Sequence, residues 1–217
     1  TAFHSNECDV VYMNCSDYDP AGEYLLAVLA HEFEHLIHYN YEPGEASWVD
    51  EGLAELAMWL YGNPDNISSF NTNPDRNLTS FGGAWADYIK TYLWSLYFYE
   101  RYGGQSAVKS LVAEPANGIA GFENVLDDFL YTEDFVDVFS DWVVANYLDD
   151  TTIGDGRYGY VGDTLPPFQP FATFSSYPVG PNSAAVQHWA ADYVRYLGGI
   201  GAQVTFDGAD TSLWTVR

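Results

Sequence analysis

Positive charge is what this chain has least of. Seven Lys and Arg stand against 31 Asp and Glu in 217 residues, a formal net charge of -24. A polyanion would be repelled, so nucleic acid is excluded as a partner and an anionic membrane surface is disfavoured. Acidity of this size fits a salt-rich habitat, Ca²⁺ sites on a secreted enzyme, or a solvated surface that keeps the protein soluble. No apolar run approaches the roughly 20 residues that a membrane-crossing helix needs. A charged-then-apolar leader is also missing. The chain opens at Thr1, which reads as a mature or trimmed form.

Cysteine is scarce too. Cys8 and Cys15, in "CDVVYMNC", are the only two. No other Cys is there to complete a metal site with them. A disulfide closing this short loop is the expectation, and with it an oxidising, extracellular location. Apolar residues, by contrast, are plentiful. The chain is 47% hydrophobic and 18% aromatic, enough for a sizeable core.

No internal repeat is visible. "DVVYM" (9–13) is short, β-branched and aromatic, and reads as a strand. A helix follows from Glu23 to Asn40, with Leu25, Leu26, Leu29, Phe33, Leu36 and Ile37 at helical spacing. Pro43-Gly44 breaks the chain before a second helix. Ser47 and Asp50 resemble a capping box at its start, and Gly62 lies just past its end. Residues 62–83 form a polar loop, long enough to be either a functional segment or a surface excursion. Within it, Asn66-Ile67-Ser68 and Asn77-Leu78-Thr79 fit the pattern of a glycosylation acceptor. A third, aromatic-rich helix ends at Gly103-Gly104. Shorter helices are expected near 105–113 and 121–130, and another over about 133–148. The fold class is then α+β. A mostly helical catalytic region covers 1–182, with a short N-terminal strand region and a proline-rich loop from 149. Residues 183–217 alternate apolar and polar, and are expected to form a β-rich end, the start of a further domain.

One stretch carries chemistry. His31-Glu32-Phe33-Glu34-His35 is an H-E-x-x-H pattern on a helix. Residues four apart differ by about 40° and about 6 Å of rise. Both imidazoles can therefore reach one cation at about 2.0–2.1 Å. Glu32 lies about 100° round the helix, beside the ion and not on it. A general base that takes a proton from metal-bound water belongs there. Zinc also needs a third protein ligand and an open position. Glu51 and Glu55, in "WVDEGLAE", share a face of the next helix. One can ligate the metal, and the other can hold a ligand imidazole in orientation.

Other polar groups receive plainer readings. Glu34 is expected to face solvent. His38 is nearly in line with His31 but about 10 Å further along the axis, too far to ligate the same ion. It reads as a core or supporting histidine, and His4 and His188 as structural. Residues 149–156, "DDTTIGDG", gather oxygen ligands that could hold Ca²⁺. They lack EF-hand spacing, and a solvated acidic turn is the plainer reading.

"HEFEH" followed by "WVDEGLAE" resembles the gluzincin metallopeptidases. The likeness is closest to the bacterial secreted hyicolysin-like peptidases, and more distant to the zinc aminopeptidases and thermolysin-like enzymes. It is strongest over 31–55 and covers about 9–104. It implies a zincin fold with one catalytic Zn²⁺ on His31, His35 and Glu51. Glu32 would be the base and Glu55 the support of a zinc histidine. It also implies a tyrosine, on the later apolar helix, that binds the oxyanion. Counting back from Gly103 lands on Tyr88, with Tyr92 one turn away as the alternative. The implied activity is zinc-dependent hydrolysis of a peptide or protein substrate by a secreted endopeptidase. An aminopeptidase, or a non-catalytic peptide-binding or surface domain that retains the metal, are the alternatives. The aminopeptidases' amine-gripping Gly-x-Met-Glu-Asn segment is missing. The metzincin pattern fails as well, because His38 and Tyr41 stand where it needs Gly and His. The thirty residues before the zinc helix leave room for little more than one strand. The family's N-terminal sheet is therefore expected to be incomplete.

Overall fold

The third helix of this chain is buried on nearly every side, its few polar groups included. The computed structural model describes residues 10–13, 16, 19, 21–201, 203–210 and 212–216. Among these the α-helices are α1 (Glu23–Tyr41), α2 (Ser47–Tyr61), α3 (Trp85–Arg101), α4 (Gly104–Val112), α5 (Ile119–Asp128) and α6 (Phe135–Leu148). Two short strands, β1 (Ala172–Phe174) and β2 (Val194–Tyr196), pair in parallel, with Thr173 opposite Arg195. None of the described helices is long and apolar enough to cross a membrane.

Helix α3 is the axis of the fold. Ile89, Tyr92, Leu93, Trp94, Leu96, Tyr97 and Phe98 are all fully buried. The Trp94 ring meets Phe122 of α5 at 5.4 Å, Phe135 of α6 at 4.9 Å and Trp142 of α6 at 5.6 Å. Trp48, from α2, stacks on Phe122 at 5.5 Å. The high aromatic content of the sequence is thus concentrated where large rings bury the most area per residue.

Helix α2 lies between α3 and α1. Its C-terminus stops where the sequence predicts. Gly62 adopts φ +101°, and its N–H donates to the carbonyls of Met58 and Trp59. Its N-terminus differs from expectation. Ala46 is the N-cap, no side chain caps the helix, and Ser47 already lies inside it. The Asp50 carboxylate faces α1 instead. Gly52 sets the distance to α3. A Cβ there would lie 2.6 Å from Ser95 Oγ and 2.8 Å from the Thr91 carbonyl oxygen.

Helix α1 packs on α2 with an inverted face. His31 and His38 are buried, while Leu29, Phe33 and Ile37 are exposed. Of the apolar spacing read from the sequence, Leu25 is buried and Leu26 and Leu36 are half-buried, while Leu29, Phe33 and Ile37 face outward. A helix that turns histidines inward and Phe outward has a reason other than hydrophobic burial.

The long loop 62–83 is clamped. The ammonium of Lys90, itself fully buried, donates to the carbonyls of Asn77 and Ser80 and to Asp87. Asp87 also accepts from Arg76 at 2.9 Å. Burial alone would raise the Asp87 pKa, but Arg76 and Lys90 outweigh it and hold it below the ordinary carboxylate value.

Several expectations need correction. Val10–Met13 form no strand. Asp9, His4 and the Cys8–Cys15 pair lie outside the described residues. The expected β-rich end is not formed among the described residues. Residues 183–217 supply the single strand β2, and its partner β1 comes from the stretch read as loop. Alternating sequence makes a strand only where a partner edge exists. Trp189 and Tyr193 pack instead on α6, at 5.1 Å from Phe139 and 4.7 Å from Tyr147. In the acidic turn, Asp149 accepts from the backbone N–H groups of Tyr160 and Leu165, and Asp150 from Thr152. Those carboxylates tie the turn together.

Gly52 gives a direct test of the α2–α3 approach. Gly52→Ala gains about 1 kcal/mol of helix propensity, but the added methyl meets a backbone carbonyl that cannot rotate away. The expected net result is a loss of about 1–3 kcal/mol, read as a lower urea midpoint. An unchanged or higher midpoint would show that the two helices are not in close contact there.

Candidate metal centre

The centre is built by the hairpin of α1 and α2. Residues 42–46 join the helices and are pinned from outside. Asn117 donates to the Gly44 carbonyl at 2.6 Å, and the Gly118 N–H donates to Glu45 Oε1 at 2.8 Å. Fixing this connection fixes the register between the two helices.

At the centre of the hairpin three ligand-type atoms converge. His31 Nε2 and His35 Nε2 are 3.1 Å apart. Glu51 Oε2 lies 3.5 Å from the first and 3.8 Å from the second. On a tetrahedral ion with bonds of about 2.0–2.1 Å, ligand atoms are about 3.3 Å apart. This group could hold a metal ion. Its far nitrogens are also engaged. His31 Nδ1 lies 3.2 Å from Glu55 Oε1, and His35 Nδ1 lies 3.1 Å from Asp50 Oδ1. A carboxylate at Nδ1 keeps the proton there and turns the Nε2 lone pair inward, as a metal requires. Of the three atoms that face the shared space, Glu51 Oε2 is buried with no hydrogen bond. Buried polar atoms normally find partners, so the donor set fits a bound cation.

The electrostatics follow from the same contacts. Burial alone would lower the His31 pKa, but Glu51 and Glu55 outweigh it and push it up to about 10. Burial also acts against the charged form of His35, and Asp50 overcomes it, so that pKa is raised as well. In the metal-free site at neutral pH His31 therefore carries a proton. A cation must displace it, so metal uptake strengthens as pH rises.

The remaining predicted residues fall round this triad. Glu55 is buried behind His31 and does not reach the space between the imidazoles. Glu32 is partly exposed. The Tyr88 ring lies 6.5 Å from the His31 ring and edge-on to Phe81 at 4.9 Å. Burial raises the Tyr88 pKa, and Glu51, Glu55 and Glu32 raise it further, so the hydroxyl stays protonated. Tyr92 has a different task. Its ring is fully buried and its hydroxyl donates to Asp163 at 2.8 Å. His188 is exposed beside Trp189.

Three residues escape the sequence reading. Asp50 looked like a capping residue and is instead shared by His35 and His38, 3.1 and 3.2 Å away. Glu34 is expected in solvent, yet its side chain is only 12% exposed and lies beside His38 and Asp50. Its i, i+4 spacing from His38 was the available signal. Asp65, on the loop after α2, is buried, and burial followed by the nearby Glu55 raises its pKa to about 6. Nothing local in the sequence marks it.

Two substitutions separate ligand from support. Glu51→Ala should lose the Zn²⁺ held between His31 and His35, read in calorimetric titration as the loss of that one binding step. Glu55→Gln should retain the ion with affinity weakened about 10- to 100-fold. Equal loss in both would leave no distinction between the two carboxylates. No known family model matches this chain, and no curated protein is significantly similar to it.

Proposed function

We propose that the chain is a zinc-dependent peptidase of the gluzincin type. The observation that carries this reading is the triangle of His31 Nε2, His35 Nε2 and Glu51 Oε2, with edges of 3.1, 3.5 and 3.8 Å. Two imidazoles and one carboxylate suit Zn²⁺. Three protein ligands leave room for one more, as a catalytic site needs and a structural site does not. Zinc held there supplies Lewis acidity and brings the pKa of water down to about 7.

The protein's own groups do the rest. Glu32 takes a proton from the attacking water and passes it to the departing amine nitrogen. The water oxygen bonds to the carbonyl carbon as the C–N bond breaks. Tyr88 donates a hydrogen bond to the carbonyl oxygen as it gains negative charge. Its raised pKa supports that role, because a tyrosinate could not donate. Asp50 and Glu55 keep the two imidazoles aimed. The exposed side of the site and the clamped loop 62–83 next to it suit an extended peptide chain.

Glu32→Gln should keep the parent's Zn²⁺ content and lose activity on a fluorogenic peptide by about 10²–10⁴-fold. A variant that still cleaves at the parent rate would remove Glu32 from the mechanism. Tyr88→Phe should lower kcat by about 10²-fold with little change in KM. If kcat holds and only KM rises, Tyr88 contacts the substrate without stabilising the charge that develops.

A further inference from the structure

A second set of ligand-type groups lies on the other side of the His35 imidazole. It consists of Glu34 and His38 from α1 and Asp50 from α2. His38 is 1% exposed, and neither of its ring nitrogens makes a hydrogen bond. Its Nδ1 points between two carboxylates, 3.2 Å from Asp50 Oδ1 and 3.7 Å from Glu34 Oε1. Both oxygens of Glu34 are buried without a hydrogen bond, and so is Glu45 Oε2 nearby. Ligand atoms of Glu34, His35 and Asp50 all fall within 4.8 Å of one another.

The charge of this cluster lacks a conventional partner. Every Lys and Arg in the sequence lies at or beyond Arg76, so α1, α2 and their connection contain none. The charges acting most strongly on Glu34 and Asp50 are histidines and other carboxylates. If His35 binds the first ion through Nε2, its Nδ1–H goes to Asp50. Among the described residues His38 is then the imidazole left beside Glu34. A buried carboxylate left in this condition is costly unless it takes up a proton or a cation joins it, and burial already pushes the Glu34 pKa up to about 7. Access exists as well. A cleft of about 270 Å³, lined by His35, Leu36, Tyr39, Glu42, Glu45 and Asp50, opens onto Asp50.

We propose that Glu34, His38 and Asp50 bind a second divalent cation beside the first. One imidazole nitrogen with carboxylate oxygens suits Zn²⁺ or Mn²⁺, and suits Ca²⁺ poorly, since Ca²⁺ takes oxygen alone. Asp50 links the two sites, because its Oδ1 touches both His35 and His38.

The test counts ions on metal-stripped whole protein after excess Zn²⁺ and desalting. The expected result is two per chain in the parent, and one each in Glu34→Gln and His38→Gln. Glu51→Ala should also keep one, held at the second site, which separates failure here from failure of the peptidase centre. A readout without substitution uses one equivalent of Zn²⁺ followed by Mn²⁺. Bound Mn²⁺ should show ¹⁴N coupling from His38 in its electron spin-echo spectrum. One Zn²⁺ in the parent, two retained in both variants, or Mn²⁺ without nitrogen coupling would each overturn the proposal. In those cases protons alone close the cluster.

Discussion

The contact between α1 and α2 is polar at its centre, and the rest of the molecule is arranged around that fact. Helix hairpins usually meet through apolar stripes. Here His31, His35 and His38 meet Asp50, Glu51 and Glu55, while Leu29, Phe33 and Ile37 of the same helix point outward. Such a contact contributes little hydrophobic stabilisation, and its desolvated charges are unfavourable unless paired. The stability must come from elsewhere. It comes from the other face of α2, where Trp48, Leu53 and Leu56 join the aromatic core around α3.

This division explains why α3 is placed as it is. Gly52 follows Glu51 directly in the sequence, and its missing side chain lets α2 sit against Thr91 and Ser95. Glu51, the carboxylate of the triad, is thus adjacent to the residue that docks its helix. From the same α3, Tyr88 projects toward His31, while Tyr92, one turn on, is committed to Asp163. One rigid helix therefore both supports α2 and supplies a hydroxyl near the triad. Rigid elements hold such groups more closely than loops can.

What was legible in the sequence was local. The i, i+4 pairing of His31 with His35 needs only helix geometry, and so does that of Glu51 with Glu55. Gly62 and Gly103-Gly104 marked helix ends correctly because a turn signal acts on its own neighbours. The misreadings were tertiary. Asp50 in a first helical turn is a credible capping residue until α1 arrives and offers two imidazoles. Glu34 looked free because its partner His38 was itself unassigned, and because Asp50, also beside it, belongs to another helix. Strand-like alternation in the tail could not show whether an edge was waiting for it, and Trp189 and Tyr193 found α6 instead.

The shortage of positive charge now has a structural meaning beyond solubility. The carboxylates of the loop clamp and of the α1–α2 hairpin sit in contrasting surroundings. Asp87 is close to Arg76 and Lys90, which hold it ionised and fasten the loop 62–83. Its oxygens are committed, and no ion could displace two fixed cationic side chains at modest cost. Glu34, Asp50, Glu51 and Glu55 sit instead beside imidazoles, which give up a proton where Lys and Arg cannot readily do so. A single Lys or Arg in the first 75 residues, folded toward this hairpin, would fill the site with a tethered charge. The absence of both from that stretch leaves the carboxylates available to a cation from solution. The low count of basic residues and the proposed metal chemistry are therefore one constraint seen at two scales.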